Sequence, residues 1–478
     1  MKKYEIVMGL EVHIELSCSS KLFCSCPVDF DAAPNENICG ACSGIPGFPP
    51  VLNKRALELG IIAGLITNSE IAKVMTFDKK SYFYPDLPAG YQITQFFSPV
   101  AKNGYIDITV EGSVNRITLK QIHIEEDAGK LIHEGRFSYI DLNRAGVPLI
   151  EIVSNPDFHT AEQVIAYLEK LRSLMSFADV SDCKLQEGSM RCDVNISIKE
   201  QGQKELGTRT EIKNMSSFKS IISAIDYESK RHIEALENNT EKLIQETRGW
   251  DDNTGTTYSM REKESENDYR YFPNTEIMPV YIDDELIDTL RANLPETAES
   301  RYIRMTSEMN LPETESKLIT SSKTLSEIFD NTMSIVNDPK EVLNWIIVEL
   351  LSIPRGENKS VDDIVIDTKR FADLILMVKD NMINRAVGKK LLVLLIEEDI
   401  VPKDYVKENG LGMINDSDTI GRIVEDIVTA NESVVNDYLG GNLKVMGFLV
   451  GQVMKNLGGK ADPRIINQLL TQYISSLS

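Results

Sequence analysis

The hydrophobic periodicity of this chain changes near residue 295, and this change limits the folds that the chain can adopt. Before that point, residues 4–16, 117–124 and 191–198 alternate apolar and polar side chains with period two, which predicts strands. Amphipathic helical segments lie between these strands. Because strands and helices do not alternate strictly, we expect an α+β domain built on a largely antiparallel sheet, not a doubly wound fold.

Two segments of the first part have helical spacing. Thr160 followed by Gln163 forms a capping-box pattern ahead of one helix, and residues 217–236 place their apolar side chains on one face. Beyond residue 295 only helical spacing is found, so we expect that part to be all-α. Three prolines there are interpreted as breaks between helices: Pro339, Pro354 and Pro402.

The length of 478 residues suggests about three domains. We place them at residues 1–294 (α+β), 295–405 (an all-α helical domain) and 406–478 (a small all-α tail). Hydrophobic residues make up 42% of the chain and charged residues 26%, which is typical of a soluble globular protein.

Membrane and secreted classes are not favoured by the sequence. The apolar stretches 372–378 and 391–396 are much shorter than the ~18 residues that a membrane span requires. Glu5 and Glu11 interrupt the apolar start, so no signal peptide is predicted. We therefore expect a cytoplasmic protein without a membrane partner.

The formal net charge of −22 argues against a generally basic nucleic-acid surface. Phosphates would be repelled by most of such a protein. A local nucleotide or RNA site stays open.

Five of the seven cysteines lie between Cys18 and Cys42. Two close pairs separated by a loop match a tetrahedral zinc site with four thiolate ligands, which leaves no open position and is therefore structural. The alternative is that these are free cysteines whose spacing arises by chance. Cys18, Cys183 and Cys192 are not expected to be ligands. The proposed ligands are Cys24, Cys26, Cys39 and Cys42.

Pairs of polar residues interrupt several apolar strands at i and i+2. Such pairs point to one face of a sheet, because strand side chains alternate. If the strands are neighbours, carboxylates and imidazole converge, a ligand set that suits Mg²⁺ or Mn²⁺. The alternative is that each pair faces water on a half-exposed sheet. The pairs are Glu11 and His13, His123 and Glu125, Asp193 and Asn195, and Glu211 and Lys213.

No phosphate-binding loop or dinucleotide fingerprint is present, so ATP would need an unfamiliar site. Candidate phosphate partners are Lys79, Lys80, Arg209 and Lys213. Aromatic residues combine with Pro, Gly or Arg in segments 81–91 and 268–273, and such side chains stack on bases or adenine. Tyr82 is the candidate for RNA contact. The alternative is that each loop folds over the core on its own aromatic side chains.

Ten motifs in order resemble the GatB family, the B subunit of bacterial aspartyl/glutamyl-tRNA(Asn/Gln) amidotransferase. Besides the two cysteine pairs they are residues 9–13 (GLEVH), 82–88 (YFYPDLP), 90–95 (GYQITQ), 123–130 (HIEEDAGK), 141–146 (DLNRAG), 190–195 (MRCDVN), 211–214 (EIKN), 245–250 (QETRGW) and 268–272 (DYRYF). The helical remainder is similar in length and kind, so the resemblance covers the whole chain.

The resemblance implies a cradle-shaped catalytic domain, a helical linker and a tail that contacts tRNA. It implies a ligase (EC 6.3.5.-) in which ATP phosphorylates the carboxylate of Glu-tRNA(Gln) or Asp-tRNA(Asn) and ammonia then displaces phosphate. It also implies two partners, an amidase-like glutaminase A subunit that supplies the ammonia and a small C subunit. The family's catalytic Mg²⁺ ligands match Glu11, His13, Glu125 and Asp193.

Two other functions remain open. One is a non-catalytic, zinc-stabilised RNA-binding or assembly module, and the other is a free-standing carboxylate–amine ligase acting on a small molecule. Residues 441–478 carry a net charge of +3, so a small tRNA-facing surface is expected there, with Lys444 and Lys455 as the candidates.

Overall fold

The structure is a computed structural model that describes residues 4–29, 31–240, 242–262, 269–353, 361–414 and 416–477. The chain forms two compact units, Met1–Thr297 and Ala298–Ser478. Of the sequence motifs, residue 268 of the DYRYF segment lies outside the described residues, as does Pro354.

The first unit is organised by a nine-stranded sheet in the order β14-β13-β12-β11-β1-β10-β7-β6-β2, in which every neighbouring pair is antiparallel except β12–β13. The strands of this unit are β1 (Tyr4–Glu15), β2 (Glu70–Ile71), β3 (Val74–Met75), β4 (Asp78–Ser81), β5 (Tyr91–Thr94), β6 (Ala101–Val110), β7 (Ser113–Glu126), β8 (Lys130–Glu134), β9 (Phe137–Asp141), β10 (Pro148–Ser154), β11 (Met190–Glu200), β12 (Thr210–Lys213), β13 (Glu246–Asp251), β14 (Thr256–Glu262), β15 (Phe272–Pro273) and β16 (Val280–Tyr281). The predicted α+β class with a largely antiparallel sheet is confirmed.

Three helices of the first unit pack on this sheet, and a fourth packs on the first of them. They are α1 (Lys54–Ile66), α2 (Ala161–Phe177), α3 (Phe218–Asn238) and α4 (Asp284–Ala292). On β1 the buried side chains Met8, Val12 and Ile14 point to the core, while Glu11 and His13 point to the opposite face. The alternation predicted for residues 4–16 therefore divides β1 into a core face and a polar face.

The predicted helices of the first unit are present. Thr160 caps α2, and Gln163 completes the capping box through its own side chain. Ser217 caps α3 by accepting from the Ser220 amide.

The second unit is helical throughout its described part. Its α-helices are α5 (Ala298–Ile303), α6 (Glu313–Thr320), α7 (Lys323–Val336), α8 (Pro339–Asn344), α9 (Thr368–Lys379), α10 (Arg385–Glu397), α11 (Pro402–Glu408), α12 (Ser417–Ala430), α13 (Glu432–Leu439), α14 (Met446–Asn456) and α15 (Pro463–Ser476). Wider π-helical turns occupy Arg304–Glu308 and Trp345–Leu350. Among the described residues, none of the helices is long and apolar enough to cross a membrane.

The second unit holds two separate hydrophobic clusters, one whose buried members run from Met305 to Val406 and one from Ile420 to Ile474. The predicted boundary after residue 405 falls inside α11. The reason is that Pro402 begins this helix, as Pro339 begins α8, and proline is well tolerated at the first position of a helix. The three-domain division stays a prediction.

Candidate functional site

Polar side chains from five strands meet on the face of the sheet that the helices leave open. The register pairs Glu11 with Asp193 across β1–β11 and His13 with Glu151 across β1–β10. Glu151 pairs in turn with His123 across β10–β7. The structure thus brings together Glu11, His13, Glu125 and Asp193, but it divides them between two groups of three ligand residues.

The first triad consists of His13, Glu125 and Glu151. His13 Nε2 lies 3.6 Å from Glu125 Oε1 and 3.5 Å from Glu151 Oε2. His123 Nε2 is 2.8 Å from the same Glu151 oxygen, and the Thr94 hydroxyl donates to Glu125 Oε2 over 3.0 Å. One imidazole and two carboxylates, oriented by further hydrogen bonds, form a ligand set that fits a divalent cation.

Neighbouring imidazole groups keep the Glu151 carboxylate of the first triad charged. Burial alone would raise the pKa of Glu151, but His123 and His13 hold it well below the usual value. Burial would lower the pKa of His13, yet Glu151 and Glu125 raise it to about 9. The imidazole groups and the Glu151 carboxylate therefore stabilise each other's charged forms.

The second triad consists of Glu11, Asp193 and Glu211. Asn195 donates through Nδ2 to Glu11 Oε1 over 3.0 Å, and the Thr247 hydroxyl donates to Glu211 Oε2 over 2.6 Å. Burial raises the pKa of Glu11, and repulsion from Glu151, Glu211 and Asp193 raises it further. These carboxylates are therefore crowded enough to favour a cation between them.

The ammonium of Lys213 is the cation that the second triad holds in this structure. It donates to Asp193 Oδ2 and lies 3.4 Å from Glu211 Oε1. Burial would lower the pKa of Lys213, but Asp193 and Glu211 raise it above its ordinary value.

Glu151 is a site residue that sequence reasoning missed, and Glu211 is one whose role it left undefined. Glu151 stands alone between Ile150 and Ile152, so it belongs to no polar pair. A single carboxylate inside an otherwise apolar strand was the available signal, because burial of an unpaired charge is costly.

A cavity of about 470 Å³ opens beside the two triads. His13 and Asp193 line it, together with three cationic side chains: Lys80, Arg191 and Lys213. Arg191, which was not singled out from the sequence, is the cross-strand neighbour of His13 and donates through Nη2 to Asp127 Oδ2 over 2.7 Å. The cavity therefore combines acidic metal-binding groups with cations suited to an anionic substrate.

The other predicted phosphate partners lie in different surroundings. The Lys79 ammonium donates to Glu276 Oε2 over 2.8 Å and lies over the Tyr91 ring. Arg209 is exposed and is not among the residues that line this cavity. Of the four candidates, Lys80 and Lys213 are the two that reach the site.

Aromatic rings from the two predicted loops meet around Lys80. Its ammonium lies 4.9 Å from the centre of the Tyr269 ring and 5.8 Å from that of Tyr82. Tyr271 stacks on Phe96 with ring centres 4.2 Å apart. Tyr82 also lines the cavity, so the aromatic group borders the space beside the triads.

The four predicted zinc ligands converge. Cys42 Sγ is 4.0 Å from Cys26 Sγ and 3.9 Å from Cys39 Sγ, and all four sulfur atoms lie within 4.8 Å of one another. Four thiolates around a tetrahedral zinc ion are separated by about 3.8 Å, so the quartet fits this metal. The hydrogen bond between Cys24 and Cys42 lowers the pKa of Cys42 and raises that of Cys24, so it favours the thiolate on Cys42.

The tail candidates Lys444 and Lys455 are both exposed in the second unit. Lys444 lies in a short 3-10 turn, and Lys455 lies in the last turn of α14. Exposure leaves both ammonium groups available to a phosphate backbone.

Comparison with known proteins gives a consistent result. Residues 6–288 match the family described as GatB/GatE catalytic domain, and residues 327–474 match the GatB domain. The chain is similar to proteins named as the B subunit of aspartyl/glutamyl-tRNA(Asn/Gln) amidotransferase. The one from Lachnoclostridium phytofermentans is 46% identical over 99% of this chain and 100% of the relative, and the one from Carboxydothermus hydrogenoformans is 42% identical over 100% of both.

Proposed function

Because this chain belongs to the GatB family of aspartyl/glutamyl-tRNA(Asn/Gln) amidotransferase B subunits, we propose that its first unit catalyses the ATP-dependent step of that reaction. The carboxylate of Glu on tRNA(Gln), or of Asp on tRNA(Asn), would attack the γ-phosphorus of ATP and release ADP. Ammonia would then displace phosphate from the acyl phosphate and form the amide. The observation that carries this proposal is the pair of acidic triads beside a cavity lined by three cations.

The first triad is the proposed Mg²⁺ site, with His13, Glu125 and Glu151 as ligands. Bound there, Mg²⁺ would offset the charge on the phosphate oxygens during transfer. Asp193 and Glu11 belong to the second triad. His123 orients Glu151, and Thr94 orients Glu125, through the hydrogen bonds described above.

The cations of the cavity are the proposed phosphate ligands. Arg191 presents a guanidinium held from one side by Asp127, which suits a phosphoryl oxygen. Lys80 reaches the same cavity from β4, and Tyr82 with Tyr269 supplies ring faces for a base.

A second cavity of about 310 Å³ is the proposed entry for ammonia from the glutaminase A subunit. Asp127 lines both cavities, so the two are adjacent at this residue, which supports the proposed route. Glu126 also lines it and accepts a hydrogen bond from the Ile93 amide. The small C subunit and tRNA complete the proposed complex, which would work in the cytoplasm.

Zinc is proposed as a structural ion held by the cysteine quartet. The loop that carries these cysteines forms one wall of the second cavity, through Cys24 and Cys42 among others. The thiolates leave no open coordination position, so this ion would take no part in the chemistry.

The test is to replace Glu125 with Gln in the complex purified with its A and C partners. Amidation of Glu-tRNA(Gln) and Asp-tRNA(Asn) with ATP and ammonium should fall at least 100-fold, because a ligand of the proposed Mg²⁺ is lost. Glutaminase activity of the complex should stay measurable. The matched control is Glu162→Gln, in the first turn of α2 and outside the site.

Normal amidation by Glu125→Gln would overturn the metal-site assignment. A failure of the unmodified complex to form an acyl phosphate would instead favour the RNA-binding or assembly module. Turnover of ATP with a small carboxylic acid and no tRNA would favour the free-standing ligase.

A further inference from the structure

Two arginine side chains approach Asp127, and they differ in what else they bind. Arg191 Nη2 donates to Asp127 Oδ2 over 2.7 Å, and Arg144 Nε lies 3.4 Å from the same oxygen. Arg144 also donates to the backbone carbonyls of Ala128 and Gly129, over 3.0 and 2.8 Å. The guanidinium of Arg144 is therefore committed to the backbone beside Asp127.

Arg191 keeps most of its donors available. A guanidinium carries five N–H groups in one plane, and among the described residues the hydrogen bonds of Arg191 come from Nη2 alone. Its Nε is buried and has no hydrogen-bond partner in the same part of the chain. Arg191 lines the 470 Å³ cavity, which Arg144 does not. Of the two arginines, Arg191 is therefore the one that can bind an anion in the cavity.

The carboxylate of Asp127 is held in a fixed position. Asp127 is 6% exposed, and its Oδ1 accepts from the Ala128 amide over 2.9 Å. Its own amide donates to the Val147 carbonyl, and its carbonyl accepts from the Gly146 amide, both over 2.9 Å. These hydrogen bonds leave Oδ2 for the arginines and fix where that oxygen lies. Asp127 is therefore a rigid anchor for a guanidinium.

We propose that Asp127 is a positioning residue that holds Arg191 ready to bind the phosphates of the nucleotide. The side chain of Arg191 is long and 37% exposed, so without the ion pair it samples several rotamers, and phosphate binding has to immobilise it. The pair with Asp127 fixes the guanidinium before the nucleotide arrives. This inference rests on the proposed function, in which Arg191 is a phosphate ligand, and it gives Asp127 a role that acts through Arg191.

The Asp127 carboxylate also has a direct effect on a bound phosphate, and this effect has the opposite sign. Its negative charge repels the phosphate, so removal of the charge by itself favours binding of an anion. This repulsion persists when Arg191 is replaced, whereas the positioning effect disappears. The effect of Asp127→Asn in the presence and in the absence of Arg191 therefore separates the two contributions.

The test measures binding of a non-hydrolysable ATP analogue with Mg²⁺ to the complex purified with its A and C partners, by isothermal titration calorimetry. We expect Arg191→Gln to weaken binding about tenfold or more, because a charge-assisted hydrogen bond to phosphate is lost. Asp127→Asn should weaken binding about three- to tenfold, the range that follows from immobilising one long side chain. Added to Arg191→Gln, the change Asp127→Asn should cause no further weakening.

A matched control is Asp107→Asn, which removes another aspartate–arginine pair of the same sheet. Asp107 accepts from Nε and Nη2 of Arg116, both over 2.8 Å, and neither residue lines the two cavities. This variant should leave the affinity for the analogue unchanged. A second variant, Asp127→Glu, covers the case in which Asp127→Asn does not fold. It keeps the negative charge but shifts the carboxylate by one methylene, so it should weaken binding only when Arg191 is present.

The proposal is overturned if the Asp127 variants bind the analogue as tightly as the unmodified complex, or if they weaken binding equally with and without Arg191. Unchanged binding by Arg191→Gln would overturn the assignment of Arg191 as a phosphate ligand, which belongs to the proposed function, and this inference with it. Weakened binding by Arg191→Gln together with unchanged binding by the Asp127 variants would overturn this inference alone. The two failures are therefore distinguishable.

Discussion

Neighbouring charges give two carboxylates of the site opposite properties. Two imidazoles hold the pKa of Glu151 low, whereas burial and three other carboxylates raise that of Glu11. Glu151 pairs across the strands with His13, which lies two residues after Glu11 on β1. The opposite pKa shifts of these two carboxyl groups therefore follow from the charges that surround each of them after burial.

At the residue scale, the sequence predicted the types of site residue better than their partners. Alternation placed Glu11 and His13 on one face, because the period of a strand is two. It did not predict that Glu151 lies beside His13, since register depends on packing of the whole sheet. Arg191 was missed for the same reason, as its proximity to His13 exists only in the paired strands.

A pH-dependent ion pair outside the site gives a prediction for stability. Glu349 is 5% exposed, and its carboxylate accepts from Arg385 over 3.1 Å and pairs with Lys389 over 2.8 Å. Burial would raise its pKa, but Lys389 and Arg385 lower it below the usual value. A lowered pKa in the folded state stabilises the protein above the pKa of the unfolded chain, and this contribution is lost as pH falls through the folded pKa.

We therefore expect Glu349→Gln to lower the free energy of unfolding by about 1–2 kcal/mol at pH 7, and by less below pH ~4. The measurement is urea unfolding followed by the fluorescence of buried Trp345, with Trp250 replaced by Phe. The control is Glu327→Gln. Glu327 pairs with Lys323 over 3.6 Å, but its side chain is 51% exposed, so its replacement should change the free energy of unfolding little. An effect of Glu349→Gln that is the same at both pH values would contradict the ion-pair explanation.

At the scale of elements, the cysteine loop connects distant parts of the first unit. Past the cysteines, Val51 donates to the Phe23 carbonyl and Asn53 donates to that of Leu22 before capping α1. Within the loop, Asn35 hydrogen-bonds to Ile140 at the end of the β8–β9 hairpin. The loop therefore positions both α1 and the hairpin.

Loss of zinc should loosen this loop. We expect about one zinc ion per chain in the unmodified protein and none in Cys39→Ser, because three thiolates bind the ion far more weakly than four. Limited proteolysis should then cut within residues 31–50 much faster. Zinc is measured by elemental analysis, and Cys18→Ser, outside the quartet, serves as the control.

Full zinc occupancy in Cys39→Ser, or an unmodified protein without zinc, would contradict this assignment. The spacing of the cysteines was sufficient to predict the quartet, because both pairs are local in sequence. The contact of Asn35 with the hairpin joins residues 105 positions apart, and no local pattern indicates it.

At the scale of the whole molecule, the strongly acidic balance coexists with a basic tail. Lys444 and Lys455 are exposed there, in a segment with a net charge of +3. If these ammonium groups contact tRNA phosphates, fewer counterions are released from the tRNA when it binds to a protein that lacks them.

We expect the double variant Lys444→Gln and Lys455→Gln to raise the KM for tRNA and to reduce the slope of log K against log salt by about 1.5–2. The measurement is a titration of tRNA binding to the purified complex at several salt concentrations. Lys369→Gln, an exposed lysine of the same unit in the first turn of α9, is the control. An unchanged slope in the double variant would place the tRNA contact elsewhere.

The change of periodicity near residue 295 predicted the all-helical part of the chain, whose α-helices run from α5 to α15. This succeeded because a sheet and a helical bundle need different spacings of apolar residues over long segments. Proline was less informative, since Pro339 and Pro402 begin helices here. Asp338 caps the helix that Pro339 begins, whereas Val401 makes no side-chain cap ahead of Pro402, so the residue before a proline does not by itself indicate this role.

The single parallel pair of the sheet, β12–β13, has a consequence for how the site is assembled. The first triad comes entirely from β1, β7 and β10, all encoded before residue 155. The second triad needs β11 and β12, and β12 becomes an interior strand only after α3 has crossed over to bring β13 alongside. During synthesis from the N-terminus, the strands of the first triad can therefore pair while those of the second triad are still incomplete on the ribosome.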